Sequence, residues 1–214
     1  MDLDIDRATR AIESTINMPT NLEKTLSSHF PFSGKLIKVQ VDRVLLPNGN
    51  ESMREMVVHR GAVAIVATEY GKVLMERQYR HTAGRILWEI PAGTMEENEI
   101  PEECARRELL EETGYMAEHM HELIRFFVAP GYSKEVIRIF LAGGLKKIKA
   151  SLDDDEFIET SFIPLEDAIE MVKRNIIEDS KTIIGLLLVE GLQKDGEYLK
   201  TTANPKDCCI KGSP

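Results

Sequence analysis

Cysteine is scarce in this sequence. Three cysteines occur among 214 residues, at Cys104, Cys208 and Cys209. The first lies in a stretch of helical character and the other two are adjacent in a polar tail. That distribution excludes a disulfide scaffold, a recognisable zinc site and a redox CxxC pair. Long apolar runs are also missing. The longest, IIGLLLV at Ile183–Val189, is far too short to span a bilayer, so no membrane partner is expected. Basic charge is in deficit, with 27 Lys and Arg against 36 Asp and Glu and a formal net charge of -9. No basic block offsets it, which argues against nucleic acid as a partner and against a DNA-contacting regulator, since either needs a cationic face. The opening MDLDIDRATRAIEST has no basic stretch followed by an apolar core, so it does not read as a signal peptide, and cytoplasmic placement is expected.

The chain has the makings of a folded protein. Hydrophobic residues are 43% and charged residues 29%, a balance that argues against global disorder. The length suits one domain with an appendage. Residues 1–30 read as an N-terminal extension, partly disordered or helical, with a short helix over Asp6–Ile16 halted before Pro19. Residues 31–55 form a strand region around KLIKVQVDRVLL, closed by the turn PNGN. Residues 56–194 form the main domain and 195–214 a tail. Within the main domain, Met56–Val58 reads as a short strand and GAVAIVA at Gly61–Ala67 as a strand buried on both faces. KVLMERQYR is a further strand, and LWEIPAG a short one that breaks at Pro91. Pro101–Thr113 reads as a helix, with proline in the first turn and Gly114 just past the last. LIRFFVA, EVIRIFLA and EFIETSFIP follow as strands. PLEDAIEMVKRN and KTIIGLLLVEGL follow as helices, the second capped near Ser180. This order predicts an α/β fold with a mixed sheet between helices, without regular βαβ repetition.

Within the first of these helices, Glu108, Glu111 and Glu112 stand at i, i+3 and i+4, sharing an arc of roughly 100°. Like charges so spaced repel by about a few tenths of a kcal/mol per pair. Glutamate is a strong helix former, so three of them alone are also what a solvated helix face presents. A hard divalent cation would turn the repulsion into binding, since magnesium takes a few carboxylates plus waters and phosphate oxygens.

The surrounding string decides between these readings. Gly93, Glu99, Arg107-Glu108-Leu109, Glu111-Glu112, Gly114 and Tyr115 fall at the fixed spacings of the Nudix hydrolase signature. The one soft departure is Tyr115, where an aliphatic residue is usual. By this resemblance the fold is an α/β/α sandwich with a mixed sheet, here with an N-terminal strand-containing extension. The activity it implies is cleavage of a nucleoside diphosphate linked to another group, with magnesium or manganese. The resemblance makes Glu108 and Glu112 direct metal ligands and Glu111 a ligand or assisting carboxylate. It adds the Ala92 carbonyl as a further ligand and leaves Glu99 and Arg107 to brace the loop and helix.

The flanks resemble the ADP-ribose pyrophosphatase branch. APGYSKEVIRIFLA from Ala129, VHRGAVAIVA, ERQYR, LWEIPAG and DDEFIETSFIPLEDA carry that likeness over roughly Thr25 to Glu190. It implies hydrolysis of ADP-ribose to AMP and ribose 5-phosphate. Other nucleoside diphosphate derivatives are the alternative: an ADP-sugar, a dinucleotide, flavin adenine dinucleotide or an oxidised nucleotide. A catalytically weak nucleotide-sugar-binding module is the alternative of another class. Arg54 and Arg80 are candidate phosphate clamps, because a guanidinium offers a rigid fork of donors. Glu89 is a candidate for binding substrate or shaping the metal site. Tyr132 and Phe32 are candidates to stack on adenine, whereas Trp88 reads as core. The resemblance moves the general base off the helix to the loop SLDDDEFIE, with Glu156 first, Asp154 second and Glu159 third. It also implies a homodimer built on the N-terminal strands.

Overall fold

The computed structural model describes residues 21–148 and 157–194. The chain divides into two units, Met1–Val58 and His59–Pro214. The expected Asp6–Ile16 helix and the Cys208–Cys209 tail lie outside the described residues.

In the first unit, strands β1 (Lys24–Ser33), β2 (Lys38–Leu45) and β3 (Glu51–Val58) form an antiparallel sheet in the order β1-β2-β3. β1 straddles residue 30, with residues 24–30 in the stretch read from sequence as a partly disordered or helical extension and 31–33 in the expected strand region. β3 also runs well beyond the Met56–Val58 segment expected. Its eight register partners on β2, from Lys38↔Val58 to Leu45↔Glu51, leave no gap in the ladder. β1 carries Pro31, which cannot donate to a ladder and so suits an edge strand.

The second unit is the mixed sheet anticipated. Its strands are β4 (Ala62–Glu69), β5 (Lys72–Arg80), β6 (Arg85–Glu89), β7 (Ala92–Thr94), β8 (Tyr115–Phe127), β9 (Val136–Lys147) and β10 (Ile158–Pro164). The main order is β10-β5-β4-β9-β8, with β6 on β5 and β7 on β4. β4 runs parallel to β9 and every other pairing is antiparallel. The helices are α1 (Pro101–Thr113), α2 (Leu165–Lys173) and α3 (Ser180–Lys194). No helix among the described residues is long and apolar enough to cross a membrane.

The unbroken apolar run of β4 is explained by burial on both faces. Val63, Ile65 and Ala67 pack with Cys104, Ala105 and Leu109 of α1. Ala64 and Val66 pack with Leu165, Ala168 and Ile169 of α2 and Leu186 and Val189 of α3. The sheet is therefore sandwiched, with α1 on one face and α2 and α3 on the other. Gly185 sets the depth of α3, because a Cβ there would lie 2.7 Å from Val66 Cγ2.

α1 ends as the sequence predicts. Gly114 takes a left-handed conformation (φ 73°) and donates its N–H to the Leu110 carbonyl, a geometry that costs glycine little. α3, expected to be capped near Ser180, is capped by Asp179, whose Oδ2 accepts from the Thr182 N–H at 3.0 Å. β8 begins directly after α1, earlier than the LIRFFVA segment expected.

Candidate active site

The short segment Glu89–Gly93 joins β6 to β7, and each of its residues is held by side chains or backbone of other elements of the unit. Glu89 accepts a two-pronged hydrogen bond from Arg80 of β5, Nε to Oε1 at 2.7 Å and Nη2 to Oε2 at 2.8 Å. It also accepts from Lys181 of α3. The Ile90 N–H donates to Thr182 Oγ1 at 2.9 Å. The Pro91 carbonyl accepts from the Ile65 N–H of β4 at 2.8 Å. The Ala92 N–H donates to Glu112 Oε2 of α1 at 2.9 Å. Gly93 has the Glu108 carboxyl group where a side chain would begin, with Glu108 Cδ 1.9 Å from an ideal Cβ. The segment around Pro91 thus bridges the two helical layers, held by α3 at one end and α1 at the other.

The carboxylates of α1 gather around one guanidinium. Arg107 Nε donates to Glu99 Oε1 at 2.8 Å and Nη2 to Glu99 Oε2 at 3.1 Å. Its Nη1 lies 2.8 Å from Glu108 Oε1 and 2.9 Å from Glu111 Oε2. Glu99 also accepts from the Glu96 N–H at 2.8 Å, which folds the loop ahead of α1 onto the helix. The hydrogen bonds from Arg107 hold the Glu99 carboxyl down to about 2. The same bond, with Glu108 and Glu111 close by, raises the Arg107 guanidinium above its ordinary value. Buried Cys104 is pushed up, first by desolvation and then by Glu99, so its thiol stays protonated and unreactive.

Three carboxylates share one guanidinium here, so the cluster keeps surplus negative charge. Among the described residues no three histidine, cysteine or acidic side chains stand as a set around a common metal position. Arg107 accounts for that, because Glu99, Glu108 and Glu111 converge on it. The donor chemistry nonetheless fits a hard divalent cation. Glu108, Glu111 and Glu112 offer carboxylate oxygens from consecutive turns of one helix. The space beside the Gly93 backbone, open because glycine has no Cβ, is taken by the Glu108 carboxyl group.

The second charged group is deeper. Glu89 is only 2% exposed. Burial pushes its carboxyl up, but Arg80 and Lys181 outweigh burial and hold it below the ordinary range. Arg80 is raised in turn, chiefly by its hydrogen bonds to Glu89, with Glu112 and Asp179 adding to the field. Lys181 and Asp179 were not singled out from sequence. The available signal was a lysine in the first turn of an otherwise apolar helix, a poor place for an unpaired cation.

The other candidates are placed as follows. Arg54 lies on β3 of the first unit and is paired with Glu23 in a close ion pair, with further bonds to Ser52 Oγ and the Met53 carbonyl. Tyr132 is exposed, in a turn where its N–H donates to the Ala129 carbonyl at 3.1 Å. Phe32 is exposed on β1. Trp88 packs against the core with the Arg77 guanidinium 5.4 Å over its ring. Glu159 pairs with Arg77 at 3.2 Å. Glu156 and Asp154 lie outside the described residues.

Comparison with known proteins places this geometry. The NUDIX domain model matches residues 57–184. The chain is 46% identical over 167 residues to the "Methanol dehydrogenase activator" of Bacillus methanolicus, covering 77% of this chain and 90% of that protein. It is 44% identical over 177 residues to the "ADP-ribose pyrophosphatase" of Bacillus subtilis (strain 168), covering 80% and 96%. A solved structure titled "Crystal structure of ADP compounds hydrolase" superposes with a TM-score of 0.73 at 23% identity, covering 82% of this chain and 96% of that one. That likeness speaks to the fold.

Proposed function

The chain belongs to the Nudix family, and on that premise we propose that it hydrolyses the pyrophosphate linkage of ADP-ribose to AMP and ribose 5-phosphate. The broader statement is that it is a Nudix-fold hydrolase of nucleoside diphosphate derivatives. The observation that carries the reading is the pinned Glu89–Gly93 segment, with an electronegative carboxylate cluster on one side and the Arg80–Glu89 pair on the other. The resemblance to the Bacillus subtilis relative over most of both chains supports ADP-ribose as the substrate.

In this reading Glu108, Glu111, Glu112 and the Ala92 carbonyl hold magnesium or manganese. When bound, the ion neutralises phosphate oxygens and polarises a water. Glu112 also fixes the Ala92 N–H, so the carboxylate and the carbonyl of one peptide segment are held in register. Arg80 meets the phosphates with the guanidinium edge that Glu89 leaves open. Glu156 takes the proton of the attacking water, with Asp154 second. Glu159 ranks third because Arg77 already engages it. The oxygen of water bonds to one phosphorus as the bridging oxygen leaves with the other, giving two monophosphates.

Association into a homodimer belongs to the same proposal. β1 and β3 expose Phe30, Phe32 and Met53, each more than half accessible, and a three-stranded sheet with such a face gains by being covered. Light scattering at micromolar concentration is expected to give a dimer, and a monomer alone would remove this part.

A second reading keeps the chemistry and changes the leaving group. The Bacillus methanolicus relative bears a name that does not mention ADP-ribose. A panel of ADP-ribose, ADP-sugars, dinucleotides, flavin adenine dinucleotide and oxidised nucleotides, with Mg²⁺ or Mn²⁺ and AMP release as readout, separates the two. Preferential cleavage of ADP-ribose supports the proposal. Binding without turnover across the panel would leave a nucleotide-sugar-binding module instead.

A further inference from the structure

Lys181 is 9% exposed and carries a charge that the hydrolysis described above does not use. Its ammonium donates to Glu89 Oε2 at 2.5 Å and lies 3.0 Å from Asp179 Oδ2. Asp179 is engaged elsewhere as well. It accepts from the Thr182 N–H at 3.0 Å and the Thr182 hydroxyl at 2.6 Å, at the positive end of α3. Glu89 Oε2 is therefore shared by two cations, Lys181 from α3 and Arg80 from β5.

This sharing has a consequence for Arg80. A lone Arg80–Glu89 pair would be neutral, and a buried carboxylate with one partner would claim that partner's whole charge. Lys181 supplies a second countercharge from the buried side. Arg80 then spends its Nε hydrogen and one Nη2 hydrogen on Glu89, and among the described residues no hydrogen bond takes its Nη1 hydrogens or the other Nη2 hydrogen. Arg80 is also the more accessible of the two cations, its side chain 37% exposed against 11% for Lys181. Lys181 additionally fixes the rotation of the Glu89 carboxylate, which sets the plane of the Arg80 fork.

We propose that Lys181 is a positioning residue for substrate binding, sharing the Glu89 carboxylate with Arg80 and holding it so that the remaining N–H hydrogens of the Arg80 fork face an anionic phosphate. This rests on the reading of Arg80 as a phosphate clamp. Lys181 touches no substrate and acts through Glu89.

The test is steady-state kinetics on ADP-ribose with Mg²⁺ for the full chain and for Lys181→Met, Lys181→Arg, Arg80→Ala and the Lys181→Met/Arg80→Ala double variant, each with its Tm. Lys181→Met is expected to raise KM about tenfold, on the scale of one charged hydrogen bond, with a smaller change in kcat. Lys181→Arg restores most of the loss. In the Arg80→Ala background Lys181→Met adds less than about twofold, because coupled residues are not additive. A fall in Tm with KM unchanged, or an equal KM effect with and without Arg80, would overturn the proposal and leave Lys181 a packing residue. Asp179→Asn keeps the helix cap and weakens the hold on Lys181, so it carries the test if Lys181→Met does not fold, with a smaller KM rise in the same direction expected. Titration of inorganic pyrophosphate into the same proteins separates the two ideas. If the unaltered chain cleaves no member of the substrate panel, the hydrolase reading fails. Tenfold weaker pyrophosphate binding by Lys181→Met still supports the positioning role, and unchanged binding refutes it.

Discussion

Two charged clusters flank the segment Glu89–Gly93, built from the same side-chain types to different effect. Around Arg107, three glutamates share one guanidinium, and the group sits at the border of helix and solvent. Around Glu89, a buried carboxylate and Asp179 are met by Arg80 and Lys181, so acids and bases balance. Burial accounts for the difference. A fully desolvated charge must be matched within the protein, whereas a cluster that keeps partial contact with solvent, its carboxylate side chains 12–41% exposed, can carry surplus charge and take its counter-ion from solution. Imbalance marks the region suited to a cation, and balance marks the region that sets geometry.

Substitutions can break that contrast. The largest effect is expected for Glu112→Gln, which keeps the shape of a buried residue and removes its charge. Turnover of a nucleoside diphosphate derivative should fall by more than about 100-fold, beyond what loss of a supporting partner causes. Near-normal turnover would detach Glu112 from the chemistry. Gly93→Ala comes next. The added Cβ would meet the end of the flexible Glu108 side chain, so the carboxylate moves while the backbone does not. Turnover should drop roughly 10–100-fold, the range for disturbing a ligand's support, with Tm little changed. A large Tm loss would mean that Gly93 serves packing. On the balanced side, Arg80→Lys keeps the charge and loses the fork, so KM should rise about tenfold with kcat less affected. An unchanged KM would remove Arg80 from the phosphate site.

The smallest effect is on acid stability. Arg107 holds the folded Glu99 carboxyl down to about 2, against roughly 4.3 for an unfolded glutamate. A depressed folded value contributes stability above the unfolded value, lost as pH falls through the folded one. The contribution is thus present at neutral pH and fades between about pH 4 and 2. Glu99→Gln should flatten the decline of Tm across that window. An identical pH profile would show that the Arg107–Glu99 fork adds nothing to folding.

The same contrast governs what could be read from residues alone. The Arg107 cluster is local. Its members fall between Glu99 and Glu111, and helical spacing with Pro101 and Gly114 at the ends announces the helix and its acidic face. The balanced cluster joins Glu89 to Lys181, 92 positions apart, and periodicity does not reach that far. β4 was legible because burial on both faces leaves an unbroken apolar run. β1 was not, because its residues are all exposed and it contains Pro31. The first half of β8 was hidden for a related reason. YMAEHMHE mixes charged and apolar residues, and its strand character comes from pairing with β9, Tyr115↔Lys147 through His121↔Leu141. The cap of α3 was legible only as lying near Ser180, because Ser180 and Asp179 are both good cap residues and only the Thr182 bond decides between them.

The most direct measurement is the release of AMP from ADP-ribose by the full chain, with and without added Mg²⁺ or Mn²⁺. Equimolar AMP and ribose 5-phosphate are expected, dependent on the cation and abolished in Glu112→Gln. Absence of turnover of every nucleoside diphosphate derivative tested, with either cation, would contradict that expectation.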